Sequence, residues 1–87
     1  MNMKTKSMAN LGDIIYTAEC YNGEFIPSHP LTVDAVYTET TTEGTAYSYR
    51  VCYAGEYMRI GESNCFADYT ECTKWCSQHN GRITDEL

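Results

Sequence analysis

The sequence predicts an α+β protein: a small antiparallel β-meander or partly closed barrel, followed by one C-terminal helix. Three observations carry that reading. Strand-type alternation recurs through residues 13–61, turn residues interrupt it at short intervals, and a stretch with helical periodicity follows a capping signal at Asp68. A length of 87 residues suits one domain. Residues 13–81 are expected to fold as that domain, with flexible tails at 1–12 and 82–87.

The first strand is expected over Asp13 to Cys20, where Ile14, Tyr16 and Ala18 alternate with Ile15, Thr17 and Glu19. Asn22-Gly23 then signals a turn, because glycine adopts positive φ without steric cost. The Pro27-Ser28-His29-Pro30 segment lacks two backbone donors and marks a loop or an interrupted edge strand. Leu31, Val33, Ala35 and Tyr37 alternate with Thr32, Asp34 and Thr38, the clearest pattern of a strand buried on one face. Thr40 to Thr45 forms a hairpin tip. Tyr47, Tyr49, Val51 and Tyr53 follow on one face, with Ser48 and Arg50 on the other. Ala54-Gly55-Glu56 turns the chain again, and Tyr57 to Gly61 returns with Met58 and Ile60 inward. Thr, Val, Ile and Tyr dominate these segments, as strand propensity requires.

The character changes at Cys65 to Asp68. Asp68 precedes a helical run, and Glu71 three residues later completes a capping-box pattern. Cys72, Trp75, Cys76 and His79 fall on one stripe of that helix, which is expected to cover the sheet. Asn80-Gly81 reads as the C-terminal stop.

Composition excludes several functions. The formal net charge is −6, and between Asp13 and Glu62 the only bases are Arg50 and Arg59. Such a surplus of acid repels phosphate, so direct nucleic-acid binding is not expected. Residues 1–10 contain Lys4 and Lys6 but no apolar run that reads as an export signal, and no segment is apolar for long enough to span a bilayer. A cytoplasmic location, without membrane association, is therefore expected. Met1, Met3 and Met8 are alternative starts. Five cysteines without an export signal read as reduced, mostly buried thiols rather than a disulfide framework.

Two groupings invite chemistry. Cys72, Cys76 and His79 share a helix face, and Cys65 or Cys52 could complete four zinc ligands. The familiar knuckle spacing is absent, however, and Trp75 on the same stripe favours a packing role. No metal or other cofactor is expected. Cysteine catalysis needs an adjacent base and an electropositive pocket, and His29, between two prolines, reads as a loop residue. No phosphate loop or serine-nucleophile elbow occurs, so the chain reads as a non-enzyme.

Phe66-Ala67-Asp68-Tyr69-Thr70-Glu71-Cys72, following short strands and a Tyr-rich hairpin, resembles small uncharacterised phage and prophage accessory proteins of Gram-positive bacteria. Those end in a strand, Phe-x-Thr/Asp-x-x-Glu-Ala and a helix; here Cys72 stands where alanine is usual. The resemblance spans roughly residues 31–80 and brings no catalytic residues. It implies a mobile-element setting, in which compact proteins inhibit host factors, as anti-CRISPR and other anti-defence proteins do.

The expected function is accordingly a non-enzymatic protein-binding module, an inhibitor of a host defence or nucleic-acid-handling protein. Acidic side chains would steer it to a basic surface, and tyrosines would supply rigid contact area. The expected contact residues are Glu39, Glu43, Tyr47, Tyr49, Tyr57 and Arg59. The tyrosines read equally well as the rim of the core. Two other readings stay open: an oligomeric small-ligand or nucleotide-sequestering protein, and a zinc-stabilised structural domain.

Overall fold

The structure, a computed structural model, describes residues 7–85. Its elements in chain order are β1 (Ile14–Ile15), β2 (Ala18–Tyr21), β3 (Glu24–Pro27), β4 (Leu31–Thr41), β5 (Gly44–Tyr53), β6 (Glu56–Gly61), a 3₁₀ turn (Glu62–Asn64) and helix α1 (Tyr69–Asp85). All strand pairs are antiparallel. One sheet has the order β1-β4-β5-β6, and β2 and β3 form a separate hairpin. Together they make a curled half-barrel with one C-terminal helix, which is the expected fold class.

The expected strand at 13–20 is divided between these two sheets. Ile14 and Ile15 pair with β4, whereas Ala18 to Tyr21 pair with β3. Between them Tyr16 forms an isolated bridge to Phe66, exchanging backbone hydrogen bonds of 2.8 Å in each direction. Thr17 is then held by Ser28, whose buried Oγ accepts from the Thr17 N–H at 3.0 Å. Alternation is continuous through this segment, but its hydrogen-bonding partners are not.

The long β4–β5 hairpin has its register shifted by a bulge between Val33 and Ala35. A one-residue insertion exchanges the two faces of everything beyond it. Leu31 and Val33 are buried as expected, but Val36 then takes the inward position opposite Tyr49. Ala35 and Tyr37 move to the outer face, with Arg50 and Ser48 as their partners. The expected inward placement of Ala35 and Tyr37 is corrected by this bulge. In β6, Ile60 is buried and Met58 is 39% exposed.

Ile15, Leu31, Val33, Tyr49, Val51, Ile60 and Cys65 form the main core. The segment expected as a flexible N-terminal tail closes it: Ala9 is buried in this cluster, and Met8 packs against it. Polar contacts fix that segment. The Met8 N–H donates to Glu62 Oε2 at 2.8 Å, the Ala9 N–H to the Tyr49 hydroxyl at 3.2 Å, and the Gly12 N–H to the Val33 carbonyl at 2.8 Å. Residues 1–6 of the expected tail lie outside the described residues.

Helix α1 begins as expected. Asp68 Oδ1 accepts from the Thr70 N–H at 2.9 Å, an N-cap, although Glu71 returns no bond among the described ones. The helix does not lie over the four-stranded sheet. It packs mainly on β3 and also touches β2, where Cys72 and Cys76 are buried, making a second small core. It also runs through Asn80-Gly81 to Asp85, so the expected stop and the tail from 82 are corrected up to that point. Asn80 is occupied otherwise: its Oδ1 accepts from the Phe25 N–H at 2.6 Å and its Nδ2 donates to the Phe25 carbonyl at 2.9 Å.

Candidate functional site

The outer face of the β4–β5–β6 sheet is not covered by any described element, and the register determines what it carries. Residues directly opposite in antiparallel strands share a face. Arg50 lies across from Ala35 and Arg59, Ser48 across from Tyr37 and Gly61, and Cys52 across from Tyr57. Polar, aromatic and cationic side chains thus share one open surface.

Those side chains are ordered among themselves. The Arg50 guanidinium carbon sits 4.4 Å from the Tyr57 ring centre, and that of Arg59 sits 4.2 Å from the Tyr37 ring centre. Both are cation–π stacks. Arg50 Nε donates to Asp34 Oδ1 at 2.8 Å, and Arg59 Nε donates to Ser48 Oγ at 2.8 Å. The Asp34 carboxylate raises the pKa of Arg50 further, by stabilising its charged form. Tyr57 remains 65% exposed despite its stack. Planar groups are therefore held in place at a surface where the core does not require them.

The sequence-derived contact residues distribute unevenly over this frame. Tyr57, Arg59 and Glu39 belong to the outer face, and Glu43 stands at the hairpin tip, where its N–H donates to Thr41 Oγ1 at 3.1 Å. Tyr47 is half-buried against the main core from the inner face. Glu39, Tyr47 and Arg59 nevertheless line one hollow of about 410 Å³, where β5 extends past the end of β6. Tyr49 is corrected outright: it is fully buried, and its hydroxyl donates to Glu62 Oε2 at 2.5 Å. Burial, then the Glu62 carboxylate, push its pKa above the ordinary value of 10.0. Tyr49 is a core residue that anchors the N-terminal segment.

Tyr37 and Asp34 belong to the outer face and escaped the sequence reading, because the bulge that redirects Tyr37 has no local signature. The charge pattern did offer a clue. Asp34 is the acid that stands closest to Arg50 across a β4–β5 hairpin whose tip was legible.

The cysteine–histidine grouping on α1 does not converge. His79 stacks on Trp75 with ring centres 3.6 Å apart, and its Nδ1 lies 2.8 Å from the Trp75 carbonyl oxygen. Cys72 and Cys76 are buried, and desolvation pushes the Cys72 thiol up from 9.0 to about 11. Cys65 is pushed up equally, to about 11, by burial and then by Glu62. These thiols are protonated near neutral pH and lack nucleophilic thiolate character. Among the described residues no group of three or more His, Cys, Asp or Glu side chains is placed to hold a metal ion, and no helix is long and apolar enough to cross a membrane.

A second concavity, of about 460 Å³, lies beside β6. Its floor is aromatic: Phe25 meets Trp75 edge-on at 5.0 Å between ring centres, and Phe66 lies 6.1 Å from Trp75. Comparison with protein-family models, with curated proteins and with solved structures finds no match to this chain.

Proposed function

We propose that this protein is a non-enzymatic protein-binding module whose contact surface is the outer face of β4–β6 together with the acidic hairpin tip. The observation that carries this reading is the pair of stacked guanidiniums, Arg50 on Tyr57 and Arg59 on Tyr37, on an uncovered face. Tyrosine and arginine are the residue types that dominate binding energy at interfaces, and prior ordering lowers the entropy lost on association. Glu39 and Glu43 supply the acidic steering toward a partner with a basic surface.

A basic partner, the net charge of −6 and the resemblance to phage accessory proteins together favour an inhibitor of a host defence or nucleic-acid-handling protein, acting in the cytoplasm. The test is affinity capture from lysate of a Gram-positive host, using the wild type, Tyr57→Ala and the double variant Glu39→Lys/Glu43→Lys, each first shown to fold by circular dichroism. The reading expects a protein retained by the wild type and lost with Tyr57→Ala. Retention by every variant contradicts it, and recovery of a nucleotide or other small molecule instead favours the sequestering alternative.

A further inference from the structure

The hollow beside β6 has strand edges for walls. Met58, Arg59, Ile60 and Gly61 all line it, although successive residues of a strand point to opposite faces. Consecutive residues can line one cavity only along the edge of their strand. Thr17, Ala18 and Glu19 line the opposite wall in the same way. Among the described residues β6 pairs only with β5, and β2 only with β3, so each wall is an edge without a strand partner there.

The turns identify which main-chain groups these edges expose. Ala54 and Gly55 both have positive φ, 53° and 82°, as a two-residue hairpin loop of the primed type requires. Tyr53 and Glu56 then form a hydrogen-bonded pair, and pairs alternate from there. Met58 and Ile60 bond to β5, while the N–H and C=O of Tyr57 and Arg59 point to the free edge of β6, along which Arg59 lines the hollow. The same count applies to β2–β3, whose loop residues Asn22 and Gly23 have φ of 53° and 81°. It places Phe25 in a non-bonded pair with its groups facing outward, where Asn80 satisfies both of them. The alternation in this hairpin thus matches the bonds that Asn80 makes. It also directs the N–H and C=O of Ala18 to the free edge of β2. The helix thus caps one edge of this hairpin, while the hollow leaves the other open.

Charge distinguishes the position of Arg59. It faces Arg50 directly across β5–β6, and like charges so placed repel. Arg50 has Asp34 beside it, whereas Arg59 forms no ion pair among the described residues. We infer that the hollow is a binding site for an extended peptide segment of a partner protein, which adds a strand to β6. Its alternate apolar side chains meet the Phe25–Phe66–Trp75 floor, and an acidic side chain stands across from Arg59. This is strand addition at a sheet edge, in which backbone bonds give affinity and alternate side chains give specificity. The site stands without the outer-face reading, since it requires neither the hairpin tip nor an exposed Tyr57 ring.

The probe is a fluorescent, end-capped heptapeptide, Thr-Val-Glu-Val-Thr-Val-Thr, with a twin carrying Lys for Glu and a twin N-methylated at Glu and the following Thr. Titration of the full chain should show saturable binding of the Glu peptide, at least about tenfold weaker binding of the N-methylated twin, and reversal of the Glu-over-Lys preference by Arg59→Glu. Amides of Tyr57 and Arg59 should become protected from hydrogen exchange in the complex. Equal binding of the N-methylated twin overturns the proposal, as does absence of saturable binding by all three peptides at about 1 mM. Concentration-dependent dimerisation of the free chain that protects the same two amides also overturns it, by assigning the edge to a second copy. Peptide binding that survives Glu39→Lys/Glu43→Lys and Tyr57→Ala, when host-protein capture does not, separates this site from the outer-face surface.

Discussion

Arg59 lies directly across from Arg50 on the outer face, and among the described residues only Arg50 has a carboxylate at hydrogen-bond distance. The consequence for stability is asymmetric. Asp34→Asn should lower Tm at low ionic strength, and the loss should shrink as salt screens the exposed charges. Arg59→Gln removes a repulsive neighbour together with the Tyr37 stack and the Ser48 bond, and should lower Tm less than Asp34→Asn does. Scanning calorimetry across a salt series checks both. A loss from Arg59→Gln as large as that from Asp34→Asn would show that Arg59 serves the fold rather than a partner.

Tyr49 joins the N-terminal segment to the core, through its bonds to Glu62 and the Ala9 N–H. Tyr49→Phe keeps the ring but leaves that buried N–H without an acceptor, a change costing about 1–3 kcal/mol. Denaturant unfolding should register the loss, and amide exchange at Ala9 should accelerate. An unchanged midpoint would show that the segment does not depend on this hydroxyl.

Asp68→Ala removes the acceptor for the Thr70 N–H and should cost about 0.5–2 kcal/mol, the usual range for an N-cap. Asp68→Asn, which retains an acceptor, should recover most of it. Equal losses from the two variants would place the role of Asp68 outside capping.

Thiol reactivity should divide the cysteines in two. Cys20 and Cys52 are exposed, whereas Cys65, Cys72 and Cys76 are buried with raised pKa values. Alkylation of native protein at about pH 8, read by peptide mass, should modify the first pair well before the other three. The folded state binds the protons of Cys65 and Cys72 more tightly than the unfolded chain does. Their contribution to stability is therefore intact below the ordinary thiol pKa of 9.0 and is lost as pH rises toward about 11. Stability that stays level through that window would contradict their burial.

Local chemistry made much of the fold legible. Asn22-Gly23 and Ala54-Gly55 marked real turns, Asp68 marked the start of the helix, and alternation located the β4–β5 hairpin and β6. What escaped depends on contacts between distant residues. The bulge at Asp34 turned Tyr37 outward, Ser28 and Phe66 divided the first expected strand, and Asn80 was engaged by Phe25 instead of ending the helix. The candidate site was legible in part for the same reason. Tyr57 and Arg59 follow directly from alternation, Tyr49 needed knowledge of what covers its face, and the β6 edge needed knowledge of which strands lack neighbours.

Hydrogen exchange of the β6 amides in the free protein tests the account most directly, because it reads which face of that strand's backbone is available to a partner. Met58 and Ile60 should be protected by β5, and Phe25 by Asn80, while Tyr57 and Arg59 should exchange close to the unprotected rate. Slow exchange at Tyr57 and Arg59 in the isolated monomer would show that the edge is already covered and would contradict the proposed strand site.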